Sequence, residues 1–283
     1  MGASISVRTA LGMLALLTLG VGSGCVSWPR ETAERRETHR FSLGASGRVF
    51  LSTFNGKVEV AGEPGEEATI ERIVRCRART LSAAQAGLDL VEPEASCQGD
   101  RLSFTVRDPR AWGLSLSVEL VARVPLDAEL VLETSNGSIE VRAMRGAVSA
   151  RTSNGRVSLE ECAGRVEARS SNGAVRLACA PDGGRRGIVL ATSNGAAECV
   201  LPADFQGELD AKTSNGVVRC DFPVRHASKG NRRTTLNCRV GSGGSTVRIS
   251  TSNGAVRILR GQGSSAERID EPEDDEEPGE RRV

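Results

Sequence analysis

The 283-residue chain has no tyrosine, two tryptophans and two histidines, and aromatic residues make up only 3% of it. With only His39 and His226 available, a histidine-based triad or zinc cluster lacks members. No Cys-x-x-Cys pair, P-loop or Rossmann glycine pattern occurs, which removes thiol redox catalysis, zinc ribbons and phosphate cradles. The glycine-aspartate nonapeptides of calcium β-rolls are also missing, so neither a metal nor a cofactor is expected. The chain has no excess of one charge either, with 37 basic against 36 acidic residues. That gives no ground for nucleic-acid binding. Hydrophobic residues are scarce for a single globular core, at 39%. They suit a thin, elongated core in which repeats bury a few side chains against their neighbours.

What the chain does have is glycine, 32 residues of it, and one repeated word. Thr-Ser-Asn-Gly, or Ser-Ser-Asn-Gly at the third copy, recurs with its asparagine at Asn136, Asn154, Asn172, Asn194, Asn215 and Asn253. A degenerate early copy is Thr53-Phe54-Asn55-Gly56. Successive asparagines from Asn136 lie 18, 18, 22, 21 and 38 residues apart, the last gap being close to two periods. A fixed period near this length marks a repeat architecture.

Counting from each asparagine, positions −6 and −4 are apolar (Leu130 and Leu132, Val148 and Ala150, Val166 and Ala168 in the first three copies). So are +3 and +5 (Ile139 and Val141, Val157 and Leu159, Val175 and Leu177). Period-two alternation on both sides of Asn-Gly means two strands per repeat, each with one buried face. The buried phase is even before the corner and odd after it, and glycine is expected to supply the positive φ of such a corner. Two architectures satisfy this. The first is all-β and built as a single-stranded parallel β-solenoid of 18–22-residue coils. In it the asparagines form an internal ladder, with threonine facing inward beside them. The second is an antiparallel β-meander in which each Asn-Gly is a hairpin turn. The recurrence of Thr-Ser and the short period favour the solenoid.

The flanks divide the chain further. Arg8 and the apolar run 9–22, too short for a membrane span, lead to Ser23-Gly24-Cys25. This resembles a bacterial lipoprotein signal (1–24), although Gly22 stands where that pattern usually has leucine. The resemblance implies export, lipidation of Cys25 and a membrane contact through the lipid. Val26 rather than aspartate after it leans towards the outer membrane, by resemblance to the enterobacterial sorting rule; a periplasm-facing lipoprotein is the broader expectation. Residues 25–40 read as the lipidated cysteine and a charged tether, 41–265 as the β domain, and 266–283 as a disordered tail with nine acids against three arginines. A short helix is expected near 81–91, capped by Ser82. Residues 222–242, with the basic stretch Lys229–Arg233, read as a longer loop. Eight cysteines argue for an oxidising compartment. Two disulfides are candidates: Cys76 with Cys97 across the helical insert, and Cys199 with Cys220 in successive coils.

The Thr-Ser-Asn-Gly-x-[Val/Ile] units, Val124-Pro125 before the first full copy and Gly243-Gly244 before the last resemble the bacterial putative-adhesin domain family. The resemblance covers roughly residues 45–260 and implies an exported, envelope-tethered β-solenoid with no catalytic residues to carry over. The expected role is non-catalytic, adhesin-like or structural, with an envelope protein or polysaccharide as partner. The outward basic positions Arg151, Arg169, Arg176, Lys212, Arg219 and Arg257 would be its surface. The alternative is a carbohydrate-active β-helix enzyme, which would need paired carboxylates on one solvent face.

Overall fold

The computed structural model describes residues 30–223 and 234–261. Cys25 and the residues before it, the Lys229–Arg233 stretch and the acidic tail lie outside the described residues.

The chain is nearly all β, arranged as two ten-stranded mixed sheets with one helix. Each Asn-Gly corner carries the chain from one sheet to the other. Before the corners lie β2 (Arg48–Asn55), β8 (Glu129–Asn136), β10 (Val148–Thr152), β12 (Val166–Asn172), β14 (Ile188–Asn194), β16 (Gly207–Asn215) and β19 (Ser245–Asn253). After them lie β3 (Val58–Glu63), β9 (Ile139–Met144), β11 (Val157–Cys162), β13 (Val175–Cys179), β15 (Ala197–Leu201), β17 (Val218–Cys220) and β20 (Val256–Arg260). The two strands flanking a corner never share a sheet, so the Asn-Gly steps are not hairpin turns.

Within each sheet, equivalent positions of different repeats pair in parallel. Val148 lies beside Leu130 on one side and Val166 on the other, and Val157 between Ile139 and Val175. The apolar phase read from the sequence is the buried phase. Every −6, −4, +3 and +5 residue is buried except Val218 and Cys220, both on the short edge strand β17. Burying each larger aliphatic side chain contributes about 1.5–3 kcal/mol. No single pair of strands can offset the ordering of some twenty residues on that basis, so neighbours must stabilise one another.

The order of the stack is not the order of the chain. The β19–β20 layer sits between β14–β15 and β16–β17. The 38-residue spacing is therefore not a missing coil. It holds β18 (Thr235–Val240), which pairs antiparallel with β16 and closes that end. At the other end the β2–β3 layer lies inside a layer made of β6 (Arg101–Val106) and β7 (Ser115–Pro125), although it precedes them in sequence.

That first end departs most from expectation. Residues 31–42 form β1 (Glu31–Ser42), a full edge strand antiparallel to β4 (Glu67–Ala78), where a tether through residue 40 is expected. Apolar periodicity does not build this strand, because only Ala33 and Phe41 are buried in it. Cross-strand charge pairs do: Arg75 donates to Glu34 (2.6 Å) and to Glu119 (3.1 Å), and Arg72 donates to Glu37. Only residues 26–30 remain between Cys25 and the fold. Strand β4 is antiparallel to β7, and β5 (Pro93–Gln98) to β6. With β1–β4 and β16–β18 these make four antiparallel pairs among the described residues, so a purely parallel arrangement does not describe the whole chain. The helix α1 (Leu81–Leu88) is capped by Thr80, not Ser82; the Thr80 hydroxyl accepts from the Ala83 N–H.

Candidate functional site

The corners form a column, and three devices hold it. Each threonine, or Ser170, is buried and donates its hydroxyl to the corner glycine carbonyl of the neighbouring layer. Thr152 donates to Gly137 O (2.9 Å), Ser170 to Gly155 O (2.9 Å), Thr192 to Gly173 O (2.8 Å) and Thr251 to Gly195 O (2.9 Å). Each asparagine amide donates to the next asparagine. The chain of bonds runs Asn215 to Asn253 to Asn194 to Asn172 to Asn154 to Asn136, at 2.8–2.9 Å. This ladder is exposed rather than internal: threonine faces in, asparagine out.

The third device is glycine, for a reason other than the one expected. Among the corner glycines only Gly56 has positive φ. The others are needed because the layers touch there. A Cβ on Gly155 would lie 1.9 Å from Gly137 O, and one on Gly173 1.9 Å from Gly155 O. The conspicuous motif is thus spent on self-stacking.

The column breaks at one end. Asn55 and Asn136 are register partners, yet no amide bond joins them. The β6–β7 layer has no Asn-Gly corner; the segment 107–114 takes its place. The Asn55 amide turns to Leu116 O instead (2.8 Å), and Thr53 donates to Val118 O (3.3 Å). This leaves the Asn136 Nδ2 without an acceptor and the Asn55 Oδ1 without a donor among the described residues. Both face a groove of about 550 Å³, lined also by Phe54, Ser135, Asp108, Arg110, Ala111, Leu114, Ser115 and Leu116. The Arg110 guanidinium has no ion-pair partner among the described residues, and Asp108 Oδ1 accepts from the Arg110 backbone N–H (2.9 Å). Asp108 is the only carboxylate among the described residues that line the groove. Trp112, on the same loop, is 100% exposed.

A second groove of about 530 Å³ is lined by Glu63, Glu66, Glu67 and Glu71 with Arg40 and Arg123. Arg123 pairs with Glu63 (3.5 Å) and Arg36 with Glu71 (3.6 Å), and no aromatic side chain lines it. No group of three or more histidine, cysteine or acidic side chains among the described residues is placed to hold a metal ion.

The expected basic surface is not one surface. Arg151, Arg169 and Lys212 lie on one sheet and Arg176, Arg219 and Arg257 on the other. Arg176 and Arg257 both reach Glu198, at 3.4 and 3.8 Å, and Arg169 pairs with Glu167.

Neither expected disulfide forms, and all seven described cysteines are free. Ile258 lies between Cys199 and Cys220 in register, because the last layer is interleaved there. Cys76 is buried against Gly87 of α1, on the opposite sheet from Cys97. The structure instead gathers Cys162, Cys179 and Cys199, a grouping that depends on strand register and so leaves no mark in linear spacing. Cys162 and Cys179 are register partners, and burial pushes the Cys162 thiol up to about 12. A hydrogen bond with Cys179, then burial, raises the Cys199 thiol. Such thiols stay protonated and unreactive at neutral pH.

One buried polar group belongs to the first end. Arg72 is 3% exposed and donates to Glu37 and Val91 O. His39 packs beside it, 5.2 Å from Phe104 between ring centres; its Nε2 makes no hydrogen bond and lies 3.8 Å from Glu37 Oε2.

No family model matches the sequence, and a search of curated proteins finds no match. Among solved structures, the chain is similar to a putative cell adhesion protein from Clostridium sporogenes ATCC 15579 (13% identity, 80% of this chain and 100% of that one, TM-score 0.42). It is also similar to putative adhesins from Parabacteroides distasonis ATCC 8503 (9%, 78% and 96%, 0.32) and Bacteroides fragilis NCTC 9343 (8%, 79% and 97%, 0.27).

Proposed function

We propose that the chain is an exported, lipid-anchored envelope protein with a non-catalytic, adhesin-like binding role. Its framework is a parallel β-solenoid of 18–22-residue coils, closed at each end by antiparallel strands. The observation that carries the binding role is the contrast within the corner column. The repeated motif satisfies itself by stacking, whereas the groove at its broken end keeps unpaired polar groups and one carboxylate among its described lining residues, and the loop that forms part of its wall carries an exposed indole. Hydrolysis of a glycosidic bond needs two carboxylates facing the scissile bond, and this groove offers one.

Anchoring rests on Ser23-Gly24-Cys25 and on the short span to β1. Five residues reach at most about 18 Å, so an acylated Cys25 would hold β1 close to the bilayer. Labelling cells with radioactive palmitate tests this: wild type takes up label and Cys25→Ser does not, and equal labelling of both sinks the anchor. The binding role is tested by applying the purified full chain with Cys25→Ser to envelope fractions. Saturable retention is expected, and its absence ends that reading.

A further inference from the structure

We infer that the groove at the broken end of the corner column is a saccharide site, with Trp112 as the stacking partner of the sugar ring. This rests on the non-catalytic binding role proposed above. A sugar ring has an apolar C–H face and a rim of hydroxyls, each a donor and an acceptor. Its recognition calls for apolar or aromatic surface beside fixed, unpaired polar groups.

The groove supplies both. Phe54, Ala111, Leu114 and Leu116 give apolar lining. The broken rung gives an open donor, Asn136 Nδ2, next to an open acceptor, Asn55 Oδ1, on register-paired strands. Adjacent strands hold them about 5 Å apart at the backbone, a span that two non-adjacent hydroxyls of one sugar ring can bridge. Asp108 and the free Arg110 guanidinium complete the polar rim. A cavity of about 550 Å³ is in the usual range for a small ligand.

Trp112 is the second, independent observation. The chain has no tyrosine and two tryptophans. This one stands wholly in solvent, on a loop whose Arg110 (φ 52°) and Gly113 (φ 78°) are both left-handed. No other large apolar side chain among the described residues exceeds 51% exposure. Trp112 is not part of the groove wall, but its loop neighbours Asp108, Arg110, Ala111 and Leu114 are; an indole left in water on that loop serves no packing role and is free to stack on a ring seated in the groove. The alternatives fit less well. A phosphate would meet Asp108 beside Arg110. An extended peptide needs an open strand edge, and the groove lies at a corner.

The probes are tetrasaccharides of glucose, N-acetylglucosamine and galacturonate, titrated calorimetrically into the purified full chain. At least one binds. Trp112→Ala and Asn136→Ala each weaken it by about tenfold, the scale of one stacking or hydrogen-bonding group. Asn172→Ala, in the middle of the ladder, leaves the affinity unchanged. Binding by none of the three, or binding that survives both groove substitutions, overturns the site. The same variants on envelope fractions separate the two proposals. Retention equal to wild type removes the saccharide site and keeps the binding role, and loss of retention in wild type removes that role.

Discussion

The middle of the stack and its first end solve the same problem with different chemistry. From β8 to β15 each layer repeats one corner, and the threonine, asparagine and glycine of that corner bond or touch their equivalents. From β1 to β7 the strands run antiparallel as well as parallel, and cross-strand carboxylates and guanidinium groups hold the edge. The repeating region tolerates little variety at its corner, because each residue there is also its neighbour's binding site. The end has no such constraint, and it is where a loop, a helix, an exposed tryptophan and a buried arginine are found. Regularity is the structural part of the molecule and irregularity its chemical part.

That contrast can be broken experimentally, beginning with the middle. Gly155→Ala places a methyl group 1.9 Å from Gly137 O, against backbone that cannot turn aside. A loss of about 3 kcal/mol or more in urea denaturation is expected, whereas Gly244→Ala, which meets nothing within 4 Å, stays within about 0.5 kcal/mol. Equal effects would remove the close-contact account of the corner. At the first end, Arg72→Ala strands the partly buried Glu37 and should cost about 3 kcal/mol, with Glu37→Gln in the same background recovering part of it. No recovery would mean that packing, not charge, holds β1.

Smaller effects separate the two faces of the corner column. Thr152→Val removes a buried donor to Gly137 O and should cost about 1 kcal/mol. Asn172→Ala removes two exposed amide bonds, and about 0.5 kcal/mol is expected because water replaces them. An asparagine effect larger than the threonine effect would contradict the inward and outward assignment. The smallest effect is a pH dependence at the first end. Burial, then the Arg72 charge, lowers the His39 pKa from 6.5, and the Glu37 charge opposes both. The unfolded chain therefore binds a proton that the folded chain resists, so stability is full above pH 6.5 and declines as pH falls through and below it. Denaturation midpoints at about pH 7.5 and about pH 5.5 should differ less in His39→Phe than in wild type.

Much of the middle could be read in the sequence, because alternation and a fixed corner are local patterns. The strand pairs, the apolar phase and the inward threonines follow from spacing alone. The asparagine ladder also follows, but not its side: position zero sits on the outer rim of the turn, where period-two counting no longer applies. The role of glycine was hidden because φ is a local property and contact between layers is not. Strand β1 could not be seen, since Glu34, Glu37 and Arg36 look like a solvated tether until their partners on β4 are known. The groove was least legible of all. It exists because one layer lacks the motif, and its residues come from Phe54, Asp108–Leu116 and Asn136, brought together only by the stack.

The interleaving of the last layer bears on how the chain reaches its final state. Among the described residues, strand β16 pairs only with β18 and β19, and β17 only with β20. Growth of the stack behind a chain emerging N-terminus first can therefore proceed as far as β15 and must then wait. Strand β16 can pair with β18 once residue 240 is delivered, but the β16–β17 layer has no native seat on the stack until β19 and β20 have followed, about forty residues after β17. During that interval the edge of the β14–β15 layer stays open, and the β16–β17 segment can add to it in place of β19–β20, a non-native register offering similar apolar positions. Completion is thus tied to delivery of the entire domain, and a chain cut short after β17 would carry the correct repeats with no correct order in which to stack them.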